Sequence, residues 1–390
     1  MPKKELYKKI LQLDKEKHQI VTLILTRNCN LRCRYCYENH KSKDNMDFKT
    51  ATGIITHYME IDNGIENVEV HFFGGEPMLC FSLIKEIVEW FHSNSWEKKC
   101  FFFIPTNGTI LTPEMKSWLL ENRESVIVGF SLDGNRVAHN LSRDNSYDLI
   151  LPNIPFFQEN WPMQPAKMTI CAETIPYVAE SIIELENMGL NFTANVVFED
   201  IWGSDEKKTK LLNQYQEQLR LLVEFYTQNS NLEPVRPIFG HKIEYYDYSI
   251  PTPTNDCVRF CGAGHEHMTV DVDGNMYPCQ RFIPWITDRP TPKHPQNRQK
   301  EWEPQKCNKC KLLSICPTCV GFNYTMNGDS KIRTTFHCEV IKMEFIASAQ
   351  LQAIRFGQRQ LTELTELSAK EAIVEKKRID SILTLANSVV

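Results

Sequence analysis

No apolar run in the 390-residue chain approaches the length needed to cross a membrane. The opening Met-Pro-Lys-Lys-Glu is followed only by short apolar spacings and carries no secretory signal. Neither sign of charge is in excess: 44 Lys and Arg stand against 49 Asp and Glu, a formal net charge of −5. Nothing in that balance points to nucleic acid or an anionic membrane surface as partner. Internal repeats are absent beyond an alternation of strand and helix patterns. Against these absences stand fourteen cysteines. A cysteine-rich chain without an export signal implies metal or redox chemistry in a reducing cytoplasm, the expected location, and not a disulfide scaffold. With 42% hydrophobic and 24% charged residues, the chain has the material for one large domain plus a smaller one, or one barrel with additions.

Residues 1–19 read as a short amphipathic helix with Leu6, Ile10 and Leu13 on one face, a lead-in too short for a separate recognition domain. From Ile20 the pattern alternates. Strands are expected at Ile20–Leu25, Val68–Phe73, Phe101–Pro105, Val126–Ser131, Lys167–Cys171 and Phe192–Phe198. Helices are expected between them near 47–62, 80–94, 113–120, 145–158 and 176–188, with a longer one at 205–228. Such alternation predicts an α/β fold with a parallel sheet and right-handed crossovers. Six units are too few for a closed eight-fold barrel, and catalytic groups in such folds gather at the C-terminal strand ends.

Directly after the first strand, Cys29, Cys33 and Cys36 form a C-x3-C-x2-C triplet. Three thiolates on one tight loop can hold three irons of a [4Fe–4S] cluster and leave the fourth open to a substrate or cofactor. A zinc loop or buried thiols are the alternatives. After the second strand comes Gly74-Gly75-Glu76-Pro77, an ordinary turn by itself. Its glycines permit close backbone approach to a ligand, and Glu76 can pair with an ammonium.

With Tyr35 before the third cysteine, the triplet resembles the radical S-adenosylmethionine (SAM) superfamily. Gly-Gly-Glu-Pro, Thr106-Asn107-Gly108 and Phe130-Ser131-Leu132-Asp133-Gly134 continue that resemblance, as does His139-x3-Arg143. It implies a partial (β/α)6 TIM-like barrel, a cluster that chelates SAM, and a 5′-deoxyadenosyl radical. It also implies roles: Tyr35, Gly74, Gly75, Glu76 and Asn107 around SAM, Ser131 at its ribose and Arg143 at its carboxylate. Val197 is a candidate adenine contact, with an ordinary core valine as the plainer reading.

Prolines and Gly240 break the pattern over 229–253, so the core is expected to span 20–240. Tyr245-Tyr246-Asp247-Tyr248 falls in this junction, either packing there or lining a peptide groove. Eight cysteines follow. Cys257-x3-Cys261 precedes an Asp273-Gly274-Asn275 hairpin signal, and Cys279 follows it. Then come Cys307-x2-Cys310-x5-Cys316-x2-Cys319 and Cys338. Alone, the group at 307–319 also suits a zinc knuckle. The whole series resembles a SPASM domain with two auxiliary [4Fe–4S] clusters, placed at 241–340. By that resemblance Cys257, Cys261, Cys279 and Cys319 hold the first, and Cys307, Cys310, Cys316 and Cys338 the second. One departure is the two-residue spacing before Cys319, where three is usual. Cys80, Cys100 and Cys171 remain as core thiols, with Cys80 also a candidate hydrogen-atom donor. A proline-rich surface loop is expected from Pro284 to Pro304. Residues 341–390 read as amphipathic helix with Leu361, Leu364 and Leu367 on one face and a break at Gly357.

The resemblance implies an enzyme that oxidatively modifies a ribosomally made precursor peptide, served by an electron donor such as flavodoxin or ferredoxin. An anaerobic sulfatase maturase is the nearest alternative. Its base, an aspartate after the cysteine that follows the hairpin, is here Gln280, which cannot take a proton. An iron–sulfur carrier without radical chemistry is the alternative of another class. Three [4Fe–4S] clusters require about twelve irons and twelve sulfides per chain. Anaerobic iron and sulfide analysis is expected to return those values; about four irons with zinc present would restore the zinc reading.

Overall fold

The computed structural model describes residues 17–38, 40–240, 261–290, 307, 310, 312, 316–363, 377, 380 and 384. The lead-in at 1–16, the tyrosine cluster at 245–248, Cys257, Leu364, Leu367 and most of the proline-rich loop lie outside them.

Nine strands are described: β1 (His18–Thr26), β2 (Asn67–Gly74), β3 (Lys99–Thr106), β4 (Val126–Phe130), β5 (Ala166–Ile170), β6 (Phe192–Val196), β7 (Arg236–Pro237), β8 (His267–Val270) and β9 (Met276–Tyr277). The helices are α1 (Phe48–Glu60), α2 (Phe81–His92), α3 (Pro113–Glu121), α4 (Arg136–Ser142), α5 (Tyr147–Ile150), α6 (Ile154–Asn160), α7 (Val178–Asn187), α8 (Asp205–Gln228), α9 (Pro284–Thr287), α10 (Val320–Asn327) and α11 (Cys338–Glu363). β1 to β4 pair in parallel in chain order, and β5 pairs in parallel with β6. The two sheets meet where Ser131 bridges Lys167 and the Leu132 N–H donates to the Lys167 carbonyl at 2.9 Å. The six strands therefore run in sequence order around a partial barrel, the α/β architecture expected.

Alternation explains the packing. Val68, Val70 and Phe72 on β2, with Phe102 and Ile104 on β3, are fully buried against α1 and α2, which contribute Ile55, Ile84, Ile87 and Val88. Intervening residues such as Glu69, His71 and Phe73 face the other side and are half-buried. Side-chain caps start the helices: Asp47 accepts from Thr50 N–H, Thr112 from Met115 N–H and Ser204 from Lys207 N–H.

The structure corrects four expectations, one of them the surface loop from Pro284, whose first four residues form the short helix α9 with Thr287 buried. The single helix near 145–158 is split into α5, a 3-10 turn at Leu151–Asn153 and α6, because Pro152 and Pro155 have no N–H to continue it. The additional helix α4, capped by Asn135, precedes it. Gly357 lies inside α11 and does not break it. The hairpin at Asp273-Gly274-Asn275 forms, with Gly274 at φ +87° and Asp271 accepting from the Asp273 and Asn275 amides. Its first strand, β8, pairs in parallel with β1 and so extends the barrel sheet.

α11, which begins at Cys338, packs on α8 through a buried pair: the Tyr215 hydroxyl donates to Glu344 Oε1 at 2.7 Å. Burial pushes the Glu344 carboxyl up to about 8. The folded protein keeps this proton well above the pH, roughly 4.3, at which an unfolded glutamate releases it, so stability falls as pH rises between the two. Glu344→Gln retains an acceptor for Tyr215 and removes the titration. The loss of thermal stability between about pH 5 and pH 8 is expected to shrink in that variant, read by heat denaturation at both pH values.

Candidate active site

The cysteine loop leaves the C-terminal end of β1 and is held from three sides. Its backbone is clasped first by β2: the Gly75 N–H donates to the Thr26 carbonyl at 3.0 Å and the Glu76 N–H to the Asn28 carbonyl at 2.9 Å. This contact explains both glycines. A Cβ on Gly74, whose φ is +133°, would lie 2.1 Å from the Thr26 carbonyl oxygen. One on Gly75 would lie 2.2 Å from that of Asn28. The close approach is thus to the cysteine loop itself. The second side is β3: Asn107 Nδ2 donates to Asn30 Oδ1 at 2.8 Å, and Asn30 Nδ2 donates to Thr109 Oγ1 at 2.9 Å.

Glu76 is buried between these layers. Its Oε1 accepts from the Met78 N–H and the Thr106 hydroxyl, and its Oε2 accepts from the Asn107 N–H at 2.8 Å. Oε2 retains a lone pair for one further donor, the capacity an ammonium contact requires.

The third side is Asp133, with no exposed surface at all. Its Oδ2 accepts from the Tyr35 hydroxyl at 2.7 Å and Ser142 Oγ at 2.8 Å and pairs with Arg143 Nε at 3.2 Å; its Oδ1 accepts from the Thr169 N–H at 2.9 Å. His139 Nδ1 accepts from the Asp133 N–H, so its proton sits on Nε2, facing Ser146 Oγ at 3.0 Å. Burial pushes that imidazole down to about 4, leaving it neutral. The His139-x3-Arg143 spacing follows from this: α4 presents the histidine to the Asp133 backbone and the arginine to its side chain. Arg143 also reaches Cys33, its Nη1 lying 3.9 Å from Sγ. Ser131 stands at the β4–β5 seam, half-buried, and Val197 is buried just beyond β6, its N–H donating to the Ile170 carbonyl at 3.0 Å.

Cys29, Cys33 and Cys36 are free, half-buried thiols. Burial raises all three, Cys33 to about 11, with Arg143 opposing and Asp133, Cys36 and Cys29 adding to the rise. The Leu31 N–H donates to Cys29 Sγ at 3.4 Å. Desolvated, mutually repelling thiols beside a guanidinium suit a cationic iron cluster, whose binding displaces their protons. Among the described residues, no three His, Cys, Asp or Glu side chains converge as ligands of one ion. A four-iron cluster asks less, since each thiolate meets its own iron.

The later cysteines fall into two groups. Cys319 and Cys261 are near enough to Cys279 for their charges to disfavour its ionisation, and Cys261 acts in the same way on Cys319. The charge of Cys310 likewise disfavours ionisation of Cys307, Cys316 and Cys338, to which Cys307 adds at the last two. Cys319 thus stands with the first group despite its spacing, while Cys257 lies outside the described residues. Gln280 Nε2 donates to the Tyr37 hydroxyl at 3.2 Å, which brings the first group against the residue after Cys36, and Gln280 Oε1 is buried with no partner among the described residues. Cys80, Cys100 and Cys171 are free thiols, with Cys80 Sγ 3.5 Å from Asn45 Oδ1. Three contributors were not assigned from sequence: Asp133 as the hub, Arg281 beside the first group and Arg333 beside the second. Asp133 stands inside a quoted motif, but its contacts with Tyr35 and Thr169, like that of Arg281 with Glu199, span long stretches of chain that the sequence does not link.

The class is an α/β partial barrel with a thiol loop at the mouth of its first strand and an appended cysteine-rich segment. Residues 23–162 match the Radical SAM superfamily and form a radical SAM domain. Among curated relatives, the uncharacterized protein MJ0907 of Methanocaldococcus jannaschii is 38% identical over 122 residues, 31% of this chain and 40% of that protein. A cysteine-type anaerobic sulfatase-maturating enzyme of Clostridium perfringens is 22% identical over 355 residues, 81% of this chain and 92% of that enzyme. Among solved structures, native anSMEcpe with bound AdoMet superposes with a TM-score of 0.65 at 19% identity, covering 86% of this chain and 99% of that one. Streptococcus suis SuiB bound to precursor peptide SuiA gives 0.55 at 16% identity, covering 85% and 79%. The chain spans less than half of MJ0907, and the structural likenesses establish the fold alone.

Gly75→Ala is expected to cost about 1–3 kcal/mol by forcing Asn28 and Cys29 aside, and to lower iron retention at the triplet. Gly53→Ala, whose added Cβ meets nothing within 4 Å in α1, is the control and is expected not to destabilise. Thermal denaturation and iron analysis read both.

Proposed function

We propose that this chain is a radical SAM maturase that oxidatively modifies a ribosomally made peptide, for example by forming a cross-link. When bound, SAM and its cluster supply the 5′-deoxyadenosyl radical, and two auxiliary clusters supply an electron sink. Cys29, Cys33 and Cys36 would hold the first cluster. Cys257, Cys261, Cys279 and Cys319 would hold one auxiliary cluster, and Cys307, Cys310, Cys316 and Cys338 the other. Arg143, fixed by Asp133, would meet the SAM carboxylate. Glu76 Oε2 would accept from its ammonium, and Ser131 and Val197 would line its nucleoside. A precursor peptide is the proposed partner, with a flavodoxin or ferredoxin as electron donor. Among the described residues no helix is long and apolar enough to cross a membrane.

The observation that carries the peptide reading is Gln280. It follows Cys279 directly and is tied to Tyr37, beside the radical-site loop. There it can orient a substrate through its side-chain carbonyl, which has no partner among the described residues, but it cannot take a proton. The likeness to a sulfatase-maturating enzyme supports a second reading, formylglycine formation, against which this residue weighs. A bare iron–sulfur carrier has no use for a SAM pocket built from Glu76 and Arg143.

Two measurements test the reading. The reconstituted, dithionite-reduced protein is expected to release 5′-deoxyadenosine from SAM and to leave a Cys-x-Pro-x-Arg sulfatase peptide unconverted; formylglycine in that peptide by mass spectrometry would overturn the assignment. On the true peptide, Gln280→Ala is expected to retain activity within about tenfold, the worth of one positioning hydrogen bond, whereas joint replacement of Cys29, Cys33 and Cys36 by Ala abolishes SAM cleavage.

A further inference from the structure

Outside the proposed SAM site, a partly buried ion pair joins the barrel to the later cysteines. Arg281, two residues after Cys279, forms an ion pair with Glu199 at 2.7 Å, with side-chain exposures of only 17% and 27%. Glu199 lies just beyond β6, so the two charges come from opposite sides of the junction. The guanidinium carbon lies 4.2 Å from the centre of the Tyr37 ring and 5.8 Å from that of Phe322. Gly321 closes the site from α10, where a Cβ would come within 2.5 Å of Arg281 Cβ and 3.4 Å of Cys279 Sγ. Two rings, a glycine and a carboxylate surround the guanidinium and leave its side chain 17% exposed. It is held within electrostatic reach of Cys319 and Cys279.

We infer that Arg281 is a positioning residue that raises the reduction potential of the cluster held by Cys261, Cys279 and Cys319, and that Glu199 moderates this effect. The inference rests on the proposed function, in which those thiolates bind iron. Reduction adds one negative charge to a cluster already surrounded by thiolates. A fixed cation in a partly desolvated site favours the reduced state, and a carboxylate beside that cation takes back part of the gain. Removing Arg281 therefore lowers the potential and removing the Glu199 charge raises it. A purely structural role predicts otherwise: two substitutions that break the same ion pair would act in the same direction.

The test uses the full-length, anaerobically reconstituted protein and its Arg281→Gln, Arg281→Lys and Glu199→Gln variants. Iron per chain is measured first, followed by a redox titration monitored by electron paramagnetic resonance. The wave in question is the auxiliary signal that survives replacement of Cys307 and Cys310 by Ala. In Arg281→Gln its reduced-to-oxidised ratio at fixed potential is expected to fall about tenfold, a downward shift of about 59 mV for one electron. Glu199→Gln is expected to shift it upward, and Arg281→Lys, which keeps the charge, to stay within about threefold of the parent. Should Arg281→Gln lose its iron, the upward shift expected of Glu199→Gln and the near-parental Arg281→Lys still decide the matter. Unmoved waves, or shifts of one sign in Arg281→Gln and Glu199→Gln, overturn the inference while leaving the proposed function intact. About four irons in the parent chain would overturn the proposed function as well.

Discussion

A single buried carboxylate governs the mouth of the barrel. Asp133 gathers the Tyr35 hydroxyl from the cysteine loop, Ser142 and Arg143 from the end of α4 and the residue that caps it, and the Thr169 amide from β5. A fully buried carboxylate is tolerated only when such donors and a cation replace its water. Because the donors come from three separate elements, satisfying Asp133 fixes all three relative to one another. The same aspartate sits where β4 hands over to β5 and adds its bond to the Thr169 amide to the backbone bridge that joins the two sheets. The charge that orients Arg143 is thus also the fastening of the barrel wall.

Each cysteine group has a buried or half-buried arginine beside it: Arg143 with the triplet, Arg281 with the Cys279 group and Arg333 with the Cys316 group. Burial disfavours thiolates, and closely spaced thiolates disfavour one another further. Guanidinium is suited to this setting because it stays charged when desolvated and spreads its charge over a plane that packs on aromatic rings. Tyr35 lies under Arg143 and Tyr37 under Arg281, the two aromatic residues that flank Cys36. The short run Tyr35-Cys36-Tyr37 therefore supports two cations on either side of one thiol.

The six barrel strands are legible in the sequence to within two residues at each end, since β-branched and aromatic runs bounded by polar turns have few other ways to fold. The long α8, opened by Ser204, is legible for a similar reason. Failures arise where local chemistry is ambiguous. Pro152 and Pro155 interrupt a helical pattern that composition alone supports, and α4 is too short for periodicity to reveal. At the site, the cysteines announce themselves by spacing, whereas Asp133, Arg281 and Glu199 do not. A buried aspartate and a turn aspartate read alike, and an ion pair spanning 82 positions leaves no trace in the order of residues. The glycines after β2 were legible as a close approach, though the chain they approach is the cysteine loop.

The parallel pairing of β8 with β1 has a consequence for how this protein can be divided. Without β8, β1 would become the rim of the sheet, its peptide groups from Ile20 to Leu23 losing the partners that Glu266 to Val270 supply. The segment carrying the later cysteines is therefore woven into the wall of the barrel and is not a detachable module hung on a tether. Chimeras that exchange such segments between relatives at the junction near residue 240 would transplant a strand of the host's own sheet. The incoming segment has to bring a strand that meets β1 from Ile20 to Leu23 in the same parallel register, so the two parts of the chain share one continuous hydrogen-bonded wall.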